Sequence, residues 1–129
     1  MTKAIRVLLV EDNEVYRSTL ELLLDGRDGI EIVGAVGDGS LAASTAARLD
    51  PDVVVMDFRL PGLDGAGATA KVRASAPAAA VLCLTAEATD DERRDVLAAG
   101  AVGLVEKGGP TRELVRAILS ATGRGAATT

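Results

Sequence analysis

Val53-Val-Val-Met56, followed at once by Asp57, and Val81-Leu-Cys-Leu84, followed by Thr85, decide how this sequence is read. Both runs are short, apolar and free of polar alternation, the pattern of parallel strands covered by helices on both faces. Three further runs have the same character: Ile5-Arg-Val-Leu-Leu-Val10, Ile30-Glu-Ile-Val-Gly-Ala-Val36 and Val102-Gly-Leu-Val105. Amphipathic stretches separate them. Glu14 to Asp25 carries Leu20, Leu23 and Leu24 on one side and meets Gly26, a helix stop. Leu41 to Leu49 ends before Pro51, and Ala66 to Ala76 ends before Pro77. Thr89-Asp-Asp-Glu92 is a capping-box pattern opening a helix that closes at Gly100. Pro110 fits the first turn of a last helix with Leu114, Val115, Ile118 and Leu119 as its stripe. The order is β-α five times, which predicts an α/β fold. A doubly wound, five-stranded parallel sheet with five helices is its simplest form.

The chain has 129 residues, one domain's worth, with no internal boundary or repeat. Residues 1–121 are read as the domain, and residues 122–129 as a flexible tail or linker stub. Nineteen acidic against 14 basic residues give a net charge of −5, which argues against direct nucleic-acid binding. No apolar run approaches the roughly 18 residues that span a bilayer, so no membrane association is expected. The lone cysteine, Cys83, cannot form an intrachain disulfide, making a reducing cytoplasm the default compartment. The absence of histidine excludes His-ligated zinc enzymes, Ser-His-Asp hydrolases and histidine phosphocarriers. Two aromatic residues, Tyr16 and Phe58, are too few for a base-stacking platform.

In open α/β sheets ligands bind beyond the carboxyl ends of the strands, at the point where strand order reverses. Glu11 and Asp12 follow the first strand, Asp57 ends the third, Thr85 the fourth, and Glu106 and Lys107 the fifth. If the first and third strands are neighbours, Glu11, Asp12 and Asp57 converge. Such carboxylates repel one another unless a cation intervenes, and oxygen ligands of this kind suit Mg²⁺. A phosphoryl group could complete the coordination, with Lys107 as a second positive charge and the Thr85 hydroxyl as a donor. A carboxylate so placed can itself be the nucleophile, giving an aspartyl-phosphate.

The segments Leu9-Val-Glu-Asp-Asn13, Val54-Val-Met-Asp57-Phe-Arg-Leu-Pro-Gly-Leu-Asp-Gly65, Leu82-Cys-Leu-Thr85-Ala86 and Ala99-Gly-Ala-Val-Gly-Leu-Val-Glu-Lys107 carry a resemblance. In order and spacing, over residues 4 to 121, the chain resembles the CheY-like receiver domain of two-component response regulators. That resemblance implies strand order 2-1-3-4-5, which is also the order given for this fold in general. It implies Asp57 as phosphoacceptor, and a Mg²⁺ site from Asp12, Asp57, the Arg59 backbone carbonyl and, largely through water, Glu11. It further implies Thr85 and Lys107 as contacts to the phosphoryl group. The phosphoryl donor would be a sensor histidine kinase or phosphotransfer protein, since this chain supplies no histidine. The stretch from Ile32 to Ala43 and Asp57-Phe-Arg-Leu-Pro-Gly62 look most like the NarL/FixJ group, whose receivers normally precede a helix-turn-helix domain. The expected output is therefore transcription, through a DNA-binding domain not in this sequence, with a free-standing receiver as the other possibility. A homodimer through the first or last helix is open. No enzymatic turnover is expected beyond self-catalysed phosphorylation and dephosphorylation.

Taken singly, each residue has an ordinary job: Asp12 as an N-cap, Glu11 as a solvated charge, Asp57 as a turn residue, Lys107 as an exposed lysine. Their joint placement at successive strand ends favours the functional reading. Two positions depart from the family pattern. Leu104 stands where receivers commonly have Tyr or Phe, which keeps alive a phosphorylation-independent interaction module. Gly108 stands where many have a proline after the lysine in a cis bond. A cis bond without proline costs about 3 kcal/mol, so none is assumed. Phosphatases of the haloacid-dehalogenase type need a second Asp where Arg59 stands. Flavodoxins need a phosphate loop where Glu11-Asp12-Asn13-Glu14 would repel one, and the P-loop Gly-Lys-Ser/Thr is absent.

Overall fold

A computed structural model describes residues 3–60 and 63–123. Five strands, β1 (Ile5–Val10), β2 (Ile30–Val36), β3 (Val53–Asp57), β4 (Ala80–Thr85) and β5 (Ala101–Glu106), form one parallel sheet in the order β2-β1-β3-β4-β5. Between and after them run α1 (Glu14–Leu24), α2 (Ala42–Leu49), α3 (Gly65–Ser75), α4 (Asp90–Ala98) and α5 (Thr111–Ala121). The fold class is the one the sequence pattern predicts, and the strand order is the one the resemblance implies.

The physical reason for the unbroken apolar runs is visible in the two cores. Val54, Met56, Val81 and Cys83 point to one face, where Ala46 of α2, Ala68 and Val72 of α3 and Val96 of α4 cover them. Their strand neighbours Val53, Val55, Leu82 and Leu84 point to the other, against Leu20 and Leu24 of α1 and Leu114, Val115 and Ile118 of α5. Both faces of the central strands are dry, so alternation has no polar side to show.

Helix ends follow local chemistry, with two adjustments. Asn13, not Asp12, caps α1, its side chain accepting from the Tyr16 amide at 2.9 Å. Pro110 sits at the N-cap of α5 rather than inside its first turn. Gly26 takes the left-handed conformation (φ 82°) beyond the Asp25 C-cap, as its placement predicts. The Thr89–Glu92 capping box forms with both of its hydrogen bonds. One feature has no counterpart in the sequence reading: Arg59–Leu60 and Leu63–Asp64 pair as a short antiparallel ladder between β3 and α3. Among the described residues every peptide bond is trans, including Lys107-Gly108. Of the predicted tail, residues 124–129 lie outside the described residues.

Candidate functional site

Strand order makes the site. With β1 and β3 adjacent and α1 and α3 leaving on opposite faces, their carboxyl ends open one crevice. Backbone bonds carry the strand pairings one residue past their ends: the Glu11 amide donates to Val36 O (3.0 Å), Phe58 to Leu84 O (2.7 Å), and Lys107 to Thr85 O (2.9 Å). Glu11, Asp57, Thr85 and Lys107 are thereby tied to the backbone ladder of the sheet.

Glu11 is 1% exposed, Asp57 5% and Thr85 3%, so these polar side chains are core residues by burial. The ordinary reading of Glu11 as a solvated charge does not hold. Carboxylate oxygens of Glu11, Asp12 and Asp57 all lie within 4.8 Å of one another, Asp12 being the exposed member. Lys107 Nζ sits between two of them, 2.7 Å from Glu11 Oε1 and 2.9 Å from Asp57 Oδ2. The Asn13 amide donates to Glu11 Oε2 (2.9 Å), and the Arg59 amide donates to Asp57 Oδ1 (3.1 Å). Of the six residues singled out from the sequence, Glu11, Asp12, Asp57 and Lys107 thus meet in one crevice, with the Arg59 amide on Asp57, while Thr85 ends the neighbouring strand β4.

The electrostatics follow from burial set against pairing. Burial raises the Glu11 carboxyl above its ordinary value, and the nearby Asp57 charge adds to this. The Lys107 ammonium and the Asn13 amide pull the other way without cancelling it. Burial by itself would lower Lys107, but the close carboxylates of Glu11 and Asp57 outweigh it, so its net shift is upward. Lys107 is therefore a firm cation held by two acids.

Two buried oxygens are left short of partners among the described residues. Thr85 Oγ1 has none, and Glu11 Oε1 has the Lys107 ion pair but no well-aligned hydrogen bond. Buried polar atoms in this condition call for an explanation, and an ion or ligand group is one. Three carboxylates within reach of one another, one facing solvent, fit a hard divalent cation that keeps some of its waters.

Two cation–ring contacts were not legible in the sequence. Lys107 Nζ lies 5.1 Å from the centroid of the Tyr16 ring, and the Arg59 guanidinium 5.4 Å from that of Phe58. Arg59 also reaches the start of α4, donating at 3.3 Å to Glu92 Oε1 in its first turn and to Glu87 O just ahead of the helix. The Lys107–Tyr16 and Arg59–Glu92 contacts join residues far apart in the chain through long side chains, which no spacing rule reports. Leu104 is half-buried and lines, with Thr85, Arg93, Glu106 and Arg116, an open groove of about 530 Å³ between α4 and α5.

Comparison with known proteins agrees with this geometry. Residues 7–119 match the family model described as the response regulator receiver domain. The transcriptional regulatory protein LiaR of Bacillus subtilis is 35% identical over 118 residues, covering 92% of this chain and 56% of LiaR. The chain spans about half the length of the curated relatives it matches. Among solved structures, the signal receiver domain of the putative response regulator NarL from Mycobacterium tuberculosis superposes with a TM-score of 0.88 at 31% identity, covering 95% of this chain and 100% of that one. The receiver domain of the sensor histidine kinase PA1611 from Pseudomonas aeruginosa, with a magnesium ion coordinated in its active-site cleft, gives 0.79 at 35% identity, with 93% and 98% covered. A doubly wound sheet, an acid triad at its switch point with Glu11 and Asp57 buried, and a family match over most of the length lead to one conclusion: the chain belongs to the receiver-domain family of two-component response regulators.

Proposed function

We propose that Asp57 accepts a phosphoryl group from a phosphohistidine of a partner kinase or phosphotransfer protein, in a reaction that requires Mg²⁺. The observation that carries this reading is the pairing of Asp57 with Lys107 Nζ at 2.9 Å inside a cluster of three carboxylates. An Asp57 oxygen attacks phosphorus as the N–P bond to the donor's imidazole breaks, leaving an aspartyl-phosphate and a free histidine. Glu11, Asp12, Asp57 and the Arg59 carbonyl would hold the Mg²⁺. When bound there, the ion offsets carboxylate repulsion and draws negative charge from the phosphoryl oxygens. Lys107 keeps its proton throughout, because its neighbours stabilise the cation, and it neutralises charge beside Asp57. The unpartnered Thr85 hydroxyl is the donor for a phosphoryl oxygen. Its place on the wall of the α4–α5 groove offers a route by which that contact biases the neighbouring face.

The output belongs to the same proposal. Similarity to a transcriptional regulatory protein about twice as long supports a receiver that controls transcription in the cytoplasm through a DNA-binding domain. The receiver acts as a phosphoacceptor rather than a turnover enzyme.

The test is intact mass after incubation with acetyl phosphate, with and without Mg²⁺, for the wild type and Asp57→Asn. The expected result is one phosphoryl adduct that needs Mg²⁺ and is lost in the variant. An adduct that survives in Asp57→Asn removes Asp57 from the role. Absence of any adduct together with absence of beryllofluoride binding removes the phosphoacceptor reading altogether.

A further inference from the structure

Lys107 carries its charge on a flexible four-carbon stem with three N–H donors. Two directions are taken by Glu11 and Asp57 at 2.7 and 2.9 Å, and the Tyr16 ring stands 5.1 Å from the same nitrogen. Tyr16 is itself held. Its amide donates to the Asn13 side chain that caps α1, and its ring is half-buried beside Leu20, Leu84 and Leu114, lining an apolar cavity of about 200 Å³. A π face meeting an ammonium is attractive, and more so where water is partly excluded. The Lys107 side chain is 24% exposed, so water competes for it only from one side.

We infer that Tyr16 is a positioning residue: its ring face steadies the Lys107 ammonium over the carboxylate cluster and keeps it aimed at the phosphoryl group on Asp57. The inference rests on the proposed phosphoacceptor role. A phosphoryl group arriving at Asp57 asks Lys107 to exchange a carboxylate oxygen for a phosphoryl oxygen a short distance away. The ring makes no directional bond that would have to break, so the ammonium can pivot against it without being lost to solvent. Without the ring, the stem gains rotamers that point the charge away from the crevice, and fewer encounters find it in place.

The experiment replaces Tyr16 with phenylalanine and with phenylalanines bearing one, two and three ring fluorines, which drain the π face at nearly constant shape. Two quantities are read: the rate of Asp57 phosphorylation by acetyl phosphate, in which the Asp57 O–P bond forms as the P–O bond to the leaving acetate breaks, and the affinity for beryllofluoride. The expected result is that Tyr16→Phe retains most of the wild-type rate. The logarithm of the rate then falls steadily with fluorine number, to about five- to ten-fold slower at three, with beryllofluoride affinity falling in parallel. Thermal midpoints should stay level across the series, which separates this role from packing. Tyr16→Leu, which enlarges the cavity, should be slow as well, and the fluorinated series decides the matter should it fold poorly. A series flat in both readouts, with an active wild type, overturns the role of Tyr16 while leaving the phosphoacceptor reading intact. A wild type inert to both reagents overturns both.

Discussion

Lys107 shows how one residue reconciles burial with charge. Glu11 and Asp57 are almost wholly removed from water, and two carboxylates so placed would destabilise the fold if both stayed ionised and unpaired. The shared ammonium supplies the missing counter-charge, and the amides of Asn13 and Arg59 satisfy one oxygen on each acid. Cys83, one strand away, is the contrasting case of a buried titratable group with no cation. Burial pushes its thiol from 9.0 to about 11, with the Thr69 hydroxyl at 3.7 Å giving only partial relief. The thiol is thus neutral at physiological pH and packs as a small hydrophobe. The consequence for stability has a definite sign. Between pH 9 and 11 the unfolded chain has lost the proton that the folded chain keeps, so folding becomes less favourable as pH rises through that window. Two units correspond to about 3 kcal/mol at the limit, and about 2 kcal/mol is a realistic loss by pH 11. Urea unfolding of the wild type and Cys83→Ala at pH 8 and pH 11 checks this. The wild type should lose about 2 kcal/mol more than the variant over that span, and equal losses would refute the assignment.

At the scale of elements, the approach of α3 to β3 depends on a residue that is easily overlooked. Gly65 opens α3, and a Cβ added there would lie 2.6 Å from the Phe58 ring and 3.0 Å from the Phe58 carbonyl oxygen. Phe58 is buried and follows Asp57 directly, so the helix start and the site floor share one contact. Gly65→Ala should therefore lower stability by about 1–3 kcal/mol, against the modest gain an exposed helix position would show on the same change. A urea midpoint decides between these signs. The five strands and five helices are legible in the sequence because each rests on a local cause: dry β-branched runs, a capping box, glycine and proline stops. The Arg59–Leu60 and Leu63–Asp64 pairing is not, since two residues a side carry no period to read. Asp12 is the cap that the sequence offers for α1, but the side chain that reaches the Tyr16 amide is that of the next residue, Asn13. That choice leaves Asp12 exposed at the crevice.

At the scale of the whole molecule, the site is a product of topology. Glu11 and Asp57 are 46 positions apart, and Lys107 is 50 beyond Asp57, yet parallel strands deliver all three to one sheet edge. That much follows from the strand ends alone. The burial of Glu11 and the ring beneath Lys107 do not, because they depend on how tightly α1 and the β5–α5 turn close over the edge. The same geometry couples cation binding to global stability. A ligand that binds only the folded state stabilises it by RT ln(1 + [L]/Kd), about 2.7 kcal/mol at a hundredfold excess over Kd. For a domain of this size that raises Tm by roughly 8–12 °C. Asp12 separates this coupling from the apo fold. It is exposed and caps no helix, so Asp12→Asn should not lower the Tm in EDTA, and the loss of one repelling carboxylate should raise it slightly. If Asp12 supplies a metal oxygen, the same variant should lose most of the Mg²⁺-dependent rise. Melting curves of both proteins in EDTA and across a Mg²⁺ titration make the comparison. A rise retained in full by Asp12→Asn would move the cation away from the crevice, whereas a rise absent from the wild type would mean that Lys107 alone balances the acids.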